Sequence, residues 1–189
     1  LHSFPTRRSS DLGGHILQAV RFADDQAMVA NSKEGLQNIM SKLNEVVVRY
    51  KMKINEKKTK VMVITKKEPE QILITINGNT LEQVQQFKYL GSLLSEDGRC
   101  EREIKTRIAM AKDALVKHQQ LFSHSLNKDI KKRLVKTLVW SVLLYGCESW
   151  TMKKSDMKKL ESCEMWMWRR IEKITWRDRV RNEEVLRRM

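Results

Sequence analysis

The spacing of apolar residues changes near residue 99, and this change constrains the fold more than any other feature of the sequence. Before it, short apolar runs are separated by turn residues, which is typical of strands joined by hairpins. After it, apolar residues recur at helical spacing, for example at Ile104, Ile108, Ala111 and Leu115. Short connections between the helices predict antiparallel neighbours in a small bundle. We therefore expect an α+β chain whose helical part begins after residue 98.

Positive charge is concentrated in the helical part. The chain has a formal net charge of +14. Residues 1–98 carry 14 basic and 11 acidic residues, a net charge of +3, whereas residues 99–189 carry 23 and 12, a net charge of +11. A basic balance of this kind indicates a polyanionic partner, most often nucleic acid. A solvated helical surface that is rich in Lys and Arg is the alternative.

Cysteine usage and hydropathy bear on the compartment. Cys100, Cys147 and Cys163 are odd in number and widely spaced, which predicts a reducing intracellular compartment, nuclear or cytoplasmic, with no disulfide framework and no zinc site. No apolar run reaches the roughly 18–20 residues that cross a bilayer, so we expect no membrane partner.

The first 12 residues differ from the rest of the chain. They are polar, contain Pro5 and the pair Arg7-Arg8, and show no periodicity, and the chain has no initiator Met. This segment resembles the translated sequencing-adaptor remnants found at the ends of some assembled reading frames. We expect residues 1–12 to be foreign or disordered, and a natural flexible arm is the alternative.

Two adjacent carboxylates, Asp24 and Asp25, lie between two apolar runs, His15–Ala23 and Ala27–Ala30. The pattern predicts two short strands joined at a turn, with the acidic pair at or beside the turn. Carboxylates held close together repel each other unless a cation compensates. Mg²⁺, a hard cation that prefers oxygen ligands, is the usual one. An ordinary solvated turn is the alternative interpretation.

Further elements follow the acidic pair in a definite order. Asn31 and Ser32 are good N-cap residues for an amphipathic helix that we expect to pack on the sheet carrying the carboxylates. A Lys-rich turn, Lys53–Lys60, comes next. Asn77-Gly78 then predicts a hairpin turn, and residues 87–94 predict one strand.

This succession resembles the palm of reverse transcriptases encoded by non-LTR (LINE-type) retrotransposons. The aromatic-Ala-Asp-Asp box, Phe22–Asp25, looks like the family's metal-binding motif, Lys53–Lys60 like the next palm motif, and Phe87–Gly91 like the primer-grip hairpin. The resemblance covers residues 13–189. It implies that residues 13–98 form a partial palm with a primer-grip-like hairpin, and that residues 99–189 form a thumb-like helical region.

The resemblance implies roles for individual residues. Asp24 and Asp25 would be catalytic metal ligands, and Lys58, within the group of Lys57, Lys58 and Lys60, would act near the leaving pyrophosphate. A solvated basic turn is the alternative for these lysines. The residues that would grip the primer 3′ end share one strand: Phe87, Lys88, Tyr89, Leu90 and Gly91. A plain strand pair is the alternative for this stretch.

The helical region is expected to bind a primer–template duplex through its phosphate backbone and its shape. Lys131, Lys132, Arg169 and Arg170 are its candidate contacts, and the implied partners are an RNA template, a DNA primer and a dNTP. All five tryptophans lie in this region. Tryptophan can stack on bases, but it is more often core, so we expect at least three of the five to be core residues.

The family's palm also needs an upstream Asp, and fingers precede it. Only 23 residues precede Asp24. We do not accept Asp11 as the further ligand, because it lies within residues 1–12, which we expect to be foreign or disordered. We therefore expect a fragment of an RNA-directed DNA polymerase that is inactive alone. The alternatives are a basic helical nucleic-acid-binding module without catalysis, and a pseudogene-like remnant without activity.

Overall fold

The computed structural model describes the backbone of residues 11–12 and 15–16, and both backbone and side chains of residues 19–122 and 126–189. The chain divides into two compact units. The hairpin unit comprises the described residues of Phe4–Tyr89 together with Leu94–Gly98, and the helical unit comprises those of Leu90–Leu93 and Arg99–Met189.

The strands are short and form two-stranded sheets. They are β1 (Asp11–Leu12), β2 (His15–Ile16), β3 (Ala19–Phe22), β4 (Asp25–Met28), β5 (Lys60–Val61), β6 (Thr75–Ile76), β7 (Asn79–Thr80), β8 (Glu82–Gln83), β9 (Gln86–Tyr89) and β10 (Ser92–Ser95). The pairs β1–β2, β3–β4 and β6–β7 are antiparallel, β5 and β8 are parallel, and β9 pairs with β10.

One long helix, α1 (Lys33–Arg49), lies in the hairpin unit. Ser32 is its N-cap, and its Oγ accepts a hydrogen bond from the Gly35 amide at 3.0 Å. This confirms the predicted cap at Ser32. The Gln37 amide group exchanges two 2.9 Å hydrogen bonds with the backbone of Thr75, which fixes α1 against β6.

The core of the hairpin unit lies between α1 and the strands that follow it. It consists of buried apolar residues from α1, β5, β6 and the connecting segments: Met40, Val61, Ile74, Ile76 and Leu81. Met28 of β4 packs against this cluster, so the strand that begins with Asp25 is anchored to the core at its far end.

Positive backbone angles define two of the hairpin turns. Asn77 (φ 51°) and Gly78 (φ 80°) join β6 to β7, which confirms the predicted turn. Leu90 (φ 47°) and Gly91 (φ 83°) join β9 to β10 in the same way. The prediction of a single strand over residues 87–94 was therefore wrong, because two consecutive residues with positive φ reverse the chain.

Helices dominate the second unit. They are α2 (Glu101–Lys117), α3 (Lys128–Leu134), a π-helical segment (Val135–Trp140), α4 (Ser141–Leu143), α5 (Lys154–Ile171) and α6 (Asn182–Arg188). Asn127, a residue type that favours N-caps, caps α3: its side chain accepts a hydrogen bond from the Asp129 amide. Ser155 is also a residue type that favours N-caps, but it does not cap α5: the helix begins at Lys154, and Asp156 accepts a hydrogen bond from the Lys153 amide.

The helical core is large and rich in aromatic residues. Its buried members come from α2, the π-helical segment, α4, α5, α6 and the stretch after α2: Ala111, Leu115, Phe122, Val135, Val139, Leu143, Cys163, Met167, Trp168, Ile171 and Val185. Trp140 and Trp166 pack against it, and Trp150 is buried. The expectation of at least three core tryptophans is confirmed. No helix in the described ranges is long and apolar enough to cross a membrane.

Candidate functional site

The two adjacent carboxylates lie at the tip of an antiparallel hairpin. Strands β3 and β4 pair in register from Ala19 opposite Met28 to Phe22 opposite Asp25. Ala23 and Asp24 therefore form the turn, and Asp25 is the first residue of the returning strand. The predicted strand-turn-strand arrangement around the acidic pair is confirmed.

The carboxylates face solvent. Asp24 and Asp25 are both exposed, and neither makes a hydrogen bond or an ion pair within the described ranges. The neighbouring Phe22 side chain is 64% exposed, although it is a large apolar group. An acidic pair with free oxygen atoms is a chemically suitable donor set for a hard divalent cation.

The donor set is nevertheless small. The described part of the chain contains no group of three or more His, Cys, Asp or Glu side chains placed to hold a metal ion. Mg²⁺ prefers octahedral oxygen ligation, and where few protein ligands are available it keeps several waters. The acidic pair therefore fits a partly hydrated cation and not a fully enclosed one.

The tip of the hairpin is strained. Ala23 has a φ of 51°, in the left-handed region that costs an L-residue about 1–2 kcal/mol. This conformation allows the chain to reverse within two residues. Glycine would adopt it with less strain, so the local sequence does not minimise the energy of this turn.

Tyr89 connects the primer-grip-like segment to the acidic hairpin. Its hydroxyl donates a 3.4 Å hydrogen bond to the backbone carbonyl of Val20 in β3. The bond is long and therefore weak. Side chains alternate along β9, so that Phe87 and Tyr89 are half-buried while Lys88 is exposed. Lys88 is the member of this segment whose charge is available at the surface.

Lys58 lies in the turn that follows α1. Its amide donates to the carbonyl and to the side-chain oxygen of Asn55, at 3.1 and 3.2 Å. Its ammonium is exposed and has no partner within the described ranges, whereas Lys60 is paired with Glu82 at 2.5 Å. No hydrogen bond or ion pair of the described residues joins Lys58 to either carboxylate.

In the helical unit, two side chains hold the turn formed by Leu90 and Gly91. The hydroxyl of Tyr145 donates to the carbonyl of Leu90 at 2.8 Å, and the guanidinium of Arg107 donates to the carbonyl of Gly91 at 2.5 Å. The Arg107 guanidinium also lies 4.6 Å from the centroid of the Tyr145 ring. This cation–π contact joins the two donors into one assembly.

A buried carboxylate completes this assembly. Glu103 accepts a hydrogen bond from Nε of Arg107 at 2.6 Å and another from the backbone amide of Leu93 at 2.9 Å. Glu103 and Arg107 are 4% and 6% exposed. Because a buried charge is costly unless it is paired, these interactions depend on one another.

Two of the four basic residues proposed as nucleic-acid contacts are engaged within the fold. Lys131 is 6% exposed, and its ammonium lies 3.5 Å from the carboxylate of Glu172. The guanidinium of Arg169 donates to the carbonyl of Val180 and to the side chain of Asn182, both at 2.8 Å. Neither cation is free to serve as a simple phosphate ligand.

The other two are more accessible. Lys132 is half-buried and has no acidic partner among the described residues, and Arg170 is exposed. Arg170 lies 5.6 Å from the centroid of the Trp166 ring, and Lys112 lies 5.1 Å from the same centroid. The two accessible positions can therefore present positive charge to a ligand.

A carboxylate at the start of α2 has a strongly shifted pKa. Glu101 accepts a 2.8 Å hydrogen bond from Lys159 and also pairs with Lys105, and these contacts lower its pKa to about 2. The same bond from Lys159 to Glu101, and then that to Asp156, raises the pKa of the Lys159 ammonium. The role of this cluster is structural, since it ties α2 to α5.

The sequence did not reveal two notable features. One is the assembly of Arg107, Glu103 and Tyr145, whose only sequence signal is an acid and a base four residues apart on a helix. The other is the exposure of Trp176: the pair Trp176-Arg177 is one of the aromatic–arginine pairs that could stack on bases, but only the structure shows that this side chain is 84% exposed. Its signal was its position between turn-forming and charged residues, outside any helical repeat.

Comparisons with known proteins agree with this picture. The model of the reverse transcriptase (RNA-dependent DNA polymerase) family matches residues 6–94. A transposon-derived protein of Caenorhabditis elegans is 26% identical over 166 residues, which are 87% of this chain and 60% of that protein. The RNA-directed DNA polymerase from mobile element jockey of Drosophila funebris is 25% identical over 180 residues, 90% of this chain and 20% of that protein.

The chain thus spans only part of the length of these relatives, and no solved structure gives a significant match. The family match begins at residue 6, inside the segment of residues 1–12 that we expected to be foreign or disordered. It contains the acidic hairpin and β9. Residues 6–94 therefore match the reverse transcriptase family, and the chain is similar to a transposon-derived protein and to the polymerase of a mobile element.

Proposed function

We propose that this chain is a part of an RNA-directed DNA polymerase of a LINE-type retrotransposon. In this proposal residues 13–98 contribute part of an α+β polymerase palm, and residues 99–189 form a thumb-like helical region. One observation carries it: inside the region matched to the family, Asp24 and Asp25 lie exposed at a hairpin tip and have no partner among the described residues.

Asp24 and Asp25 would hold Mg²⁺ in the complete enzyme. When bound, the metal supplies a Lewis acid that activates the attacking hydroxyl and neutralises charge on the triphosphate. The protein's own contribution is to position the carboxylates. Met28 anchors β4 to the core, and Tyr89 links β3 to β9. Each strand of the hairpin therefore has a contact that holds it to the rest of the unit.

Cationic side chains would bind the substrates. Lys58 carries an exposed ammonium, without a partner in the described part of the chain, that suits a phosphate group. Lys88 projects from the strand proposed to contact the primer. In the helical region, Lys132 and Arg170 are the accessible members of the predicted set. We omit Lys131 and Arg169 from direct contact because their charged groups are engaged by the fold.

A polypeptide of these 189 residues is proposed to be inactive alone. The described residues provide two carboxylates at the hairpin tip and no third metal ligand beside them. Two-metal phosphoryl transfer requires ligands that bridge both ions. The direct test is primer extension by the purified polypeptide on an RNA template with Mg²⁺. We expect no extension, and extension that Asp24→Asn abolishes would overturn the claim of inactivity.

A second candidate function is nucleic-acid binding without any metal-dependent step. The observation that favours it is the net charge of +11 on residues 99–189. Each phosphate that the protein neutralises releases counterions, so binding should weaken steeply as salt rises. We expect affinity for a short RNA–DNA hybrid to fall by at least about tenfold between low and moderate salt. Salt-independent binding would contradict both functions.

Metal titration separates the two candidates. If the chain contains a metal-binding palm, Mg²⁺ should shift the NMR signals of Asp24 and Asp25. If it is a simple binding module, the signals of the hairpin tip should not change. The affinity for an RNA–DNA hybrid, measured in parallel, shows whether the chain binds nucleic acid, which both candidate functions require.

A further inference from the structure

Among the described residues, Trp176 is the one tryptophan whose side chain stays exposed to solvent in the folded protein. It lies in a 3₁₀ turn, Trp176–Asp178, between α5 and α6, and its side chain is 84% exposed. The other four tryptophans are buried or pack against the helical core. Tryptophan is costly to expose and is enriched where proteins bind partners. The ring is therefore available for a ligand.

The turn that presents the ring is held at both ends. The backbone amide and the hydroxyl of Thr175 donate to one carboxylate oxygen of Asp178, at 2.6 and 2.8 Å, and these bonds lower the pKa of Asp178. Beyond the turn, Arg169 binds the carbonyl of Val180 and the side chain of Asn182. A ring on such a closed loop loses little freedom when it binds.

The surroundings of the ring are strongly basic. Residues 169–181 contain six basic and two acidic residues, and both acids are engaged: Glu172 with Lys131, and Asp178 with Thr175. Arg177 lies 5.6 Å from the centroid of the Trp176 ring. Within this segment, the exposed cations that have no acidic partner among the described residues are Arg170, Lys173, Arg177, Arg179 and Arg181.

We infer that Trp176 is a stacking site for an unpaired base of single-stranded nucleic acid, with the neighbouring cations bound to the flanking phosphates. Every base offers a π-face, so stacking of this kind tolerates any sequence. The bases of a duplex are already stacked on one another and cannot reach the ring. The inference rests on the proposed nucleic-acid-binding function and extends it to a single-stranded segment, which can be RNA or DNA.

The test compares strands with and without bases. The full 189-residue chain is titrated with a labelled short oligouridylate, an oligodeoxythymidylate, an abasic strand of equal length, and a duplex. We expect tighter binding to the base-bearing strands than to the abasic strand. Trp176→Ala should weaken binding to the base-bearing strands by at least about fivefold and leave abasic binding unchanged. The arm with the larger loss identifies RNA or DNA as the ligand.

Matched variants make the result specific. Trp176→Phe keeps an aromatic face and should retain most of the affinity. Tyr50→Ala removes another exposed aromatic side chain, 69% exposed, and should have no effect. Thermal unfolding of Trp176→Ala should match that of the unmodified chain, because an exposed side chain contributes little to folding.

Three results would overturn the inference. They are an unchanged affinity of Trp176→Ala for the base-bearing strands, an equal loss on the abasic strand, and equal binding of the unmodified chain to strands with and without bases. Salt-dependent binding that is equal with and without bases contradicts the stacking site alone. The absence of any salt-dependent binding to strand or duplex contradicts the proposed function itself.

Discussion

The guanidinium of Arg107 lies 4.6 Å from the ring centroid of Tyr145, and the two side chains bind consecutive carbonyls of one turn, those of Gly91 and Leu90. The turn belongs to the segment that resembles a primer grip. Its conformation therefore depends on residues of α2 and of the stretch after α4, which lie far away in the sequence.

Arg107→Met should destabilise the helical unit by about 3–5 kcal/mol, because it leaves the buried carboxylate of Glu103 without its cation. Urea unfolding followed by tryptophan fluorescence measures the change. Lys117→Met is the matched control, since Lys117 and Asp113 form an exposed pair with the same spacing, and we expect it to cost less than about 1 kcal/mol. Equal effects of the two variants would contradict the structure.

Gly91→Ala should be more destabilising than Gly78→Ala, although the φ angles are nearly equal, +83° and +80°. A Cβ at Gly91 would lie 3.2 Å from the Tyr145 ring, whereas at Gly78 it would meet nothing within 4 Å. The Gly78 variant thus measures backbone strain alone, about 1–2 kcal/mol. Adding Tyr145→Ala should remove the steric part of the Gly91→Ala penalty. No difference between the two glycine variants would show that the ring does not touch the turn.

Acid should weaken the contact between α2 and α5 in a defined pH range. The pKa of Glu101 is lowered from 4.5 to about 2, so its stabilising effect is fully present above pH 4.5 and is lost as the pH falls towards 2. Glu101→Gln should therefore reduce stability near neutral pH and flatten the pH dependence over this range. Unfolding curves at several pH values for both proteins test this. A constant difference at all pH values would exclude an ionic origin.

Two adjacent lysines should behave differently when they are replaced. Lys131→Ala should cost about 1–3 kcal/mol of stability, because it leaves the carboxylate of Glu172 without its cation. Lys132→Ala should leave stability unchanged, weaken binding to an RNA–DNA hybrid, and reduce the salt slope of that binding by about one. Unfolding and hybrid binding are measured on both variants. The reverse pattern would show that Lys131, and not Lys132, contacts the phosphates.

The sequence predicts local structure well where the signal is local. The turn at Asn77 and Gly78, the caps at Ser32 and Asn127 and the hairpin around Asp24 all follow from side chains acting on their own backbone. The lengths of strands are less predictable from the local sequence. For example, the alternating pattern of residues 60–65 is typical of a strand, but only Lys60–Val61 pairs, because pairing needs a partner strand that the local pattern does not specify.

The site was predictable only in part. The hairpin that carries Asp24 and Asp25 was predicted from its local turn pattern. Lys58 and Lys88 are exposed, and their roles stay predictions. The burial of Lys131 could not be predicted, because its partner Glu172 lies 41 positions further along the chain. The exposure of the Trp176 side chain could not be predicted either, because exposure depends on the packing of the whole unit.

The most direct test of the central claim is to titrate the chain with Mg²⁺ and with trace paramagnetic Mn²⁺ while recording backbone amide NMR signals. We predict that Mn²⁺ broadens the signals of residues 23–26 first, that Mg²⁺ competes, and that Asp24→Asn and Asp25→Asn each remove the effect. Glu45→Gln, which replaces an exposed acid on α1, should leave it intact. Broadening that is absent from the hairpin tip, or that persists in both Asp variants, would contradict a metal-binding polymerase motif.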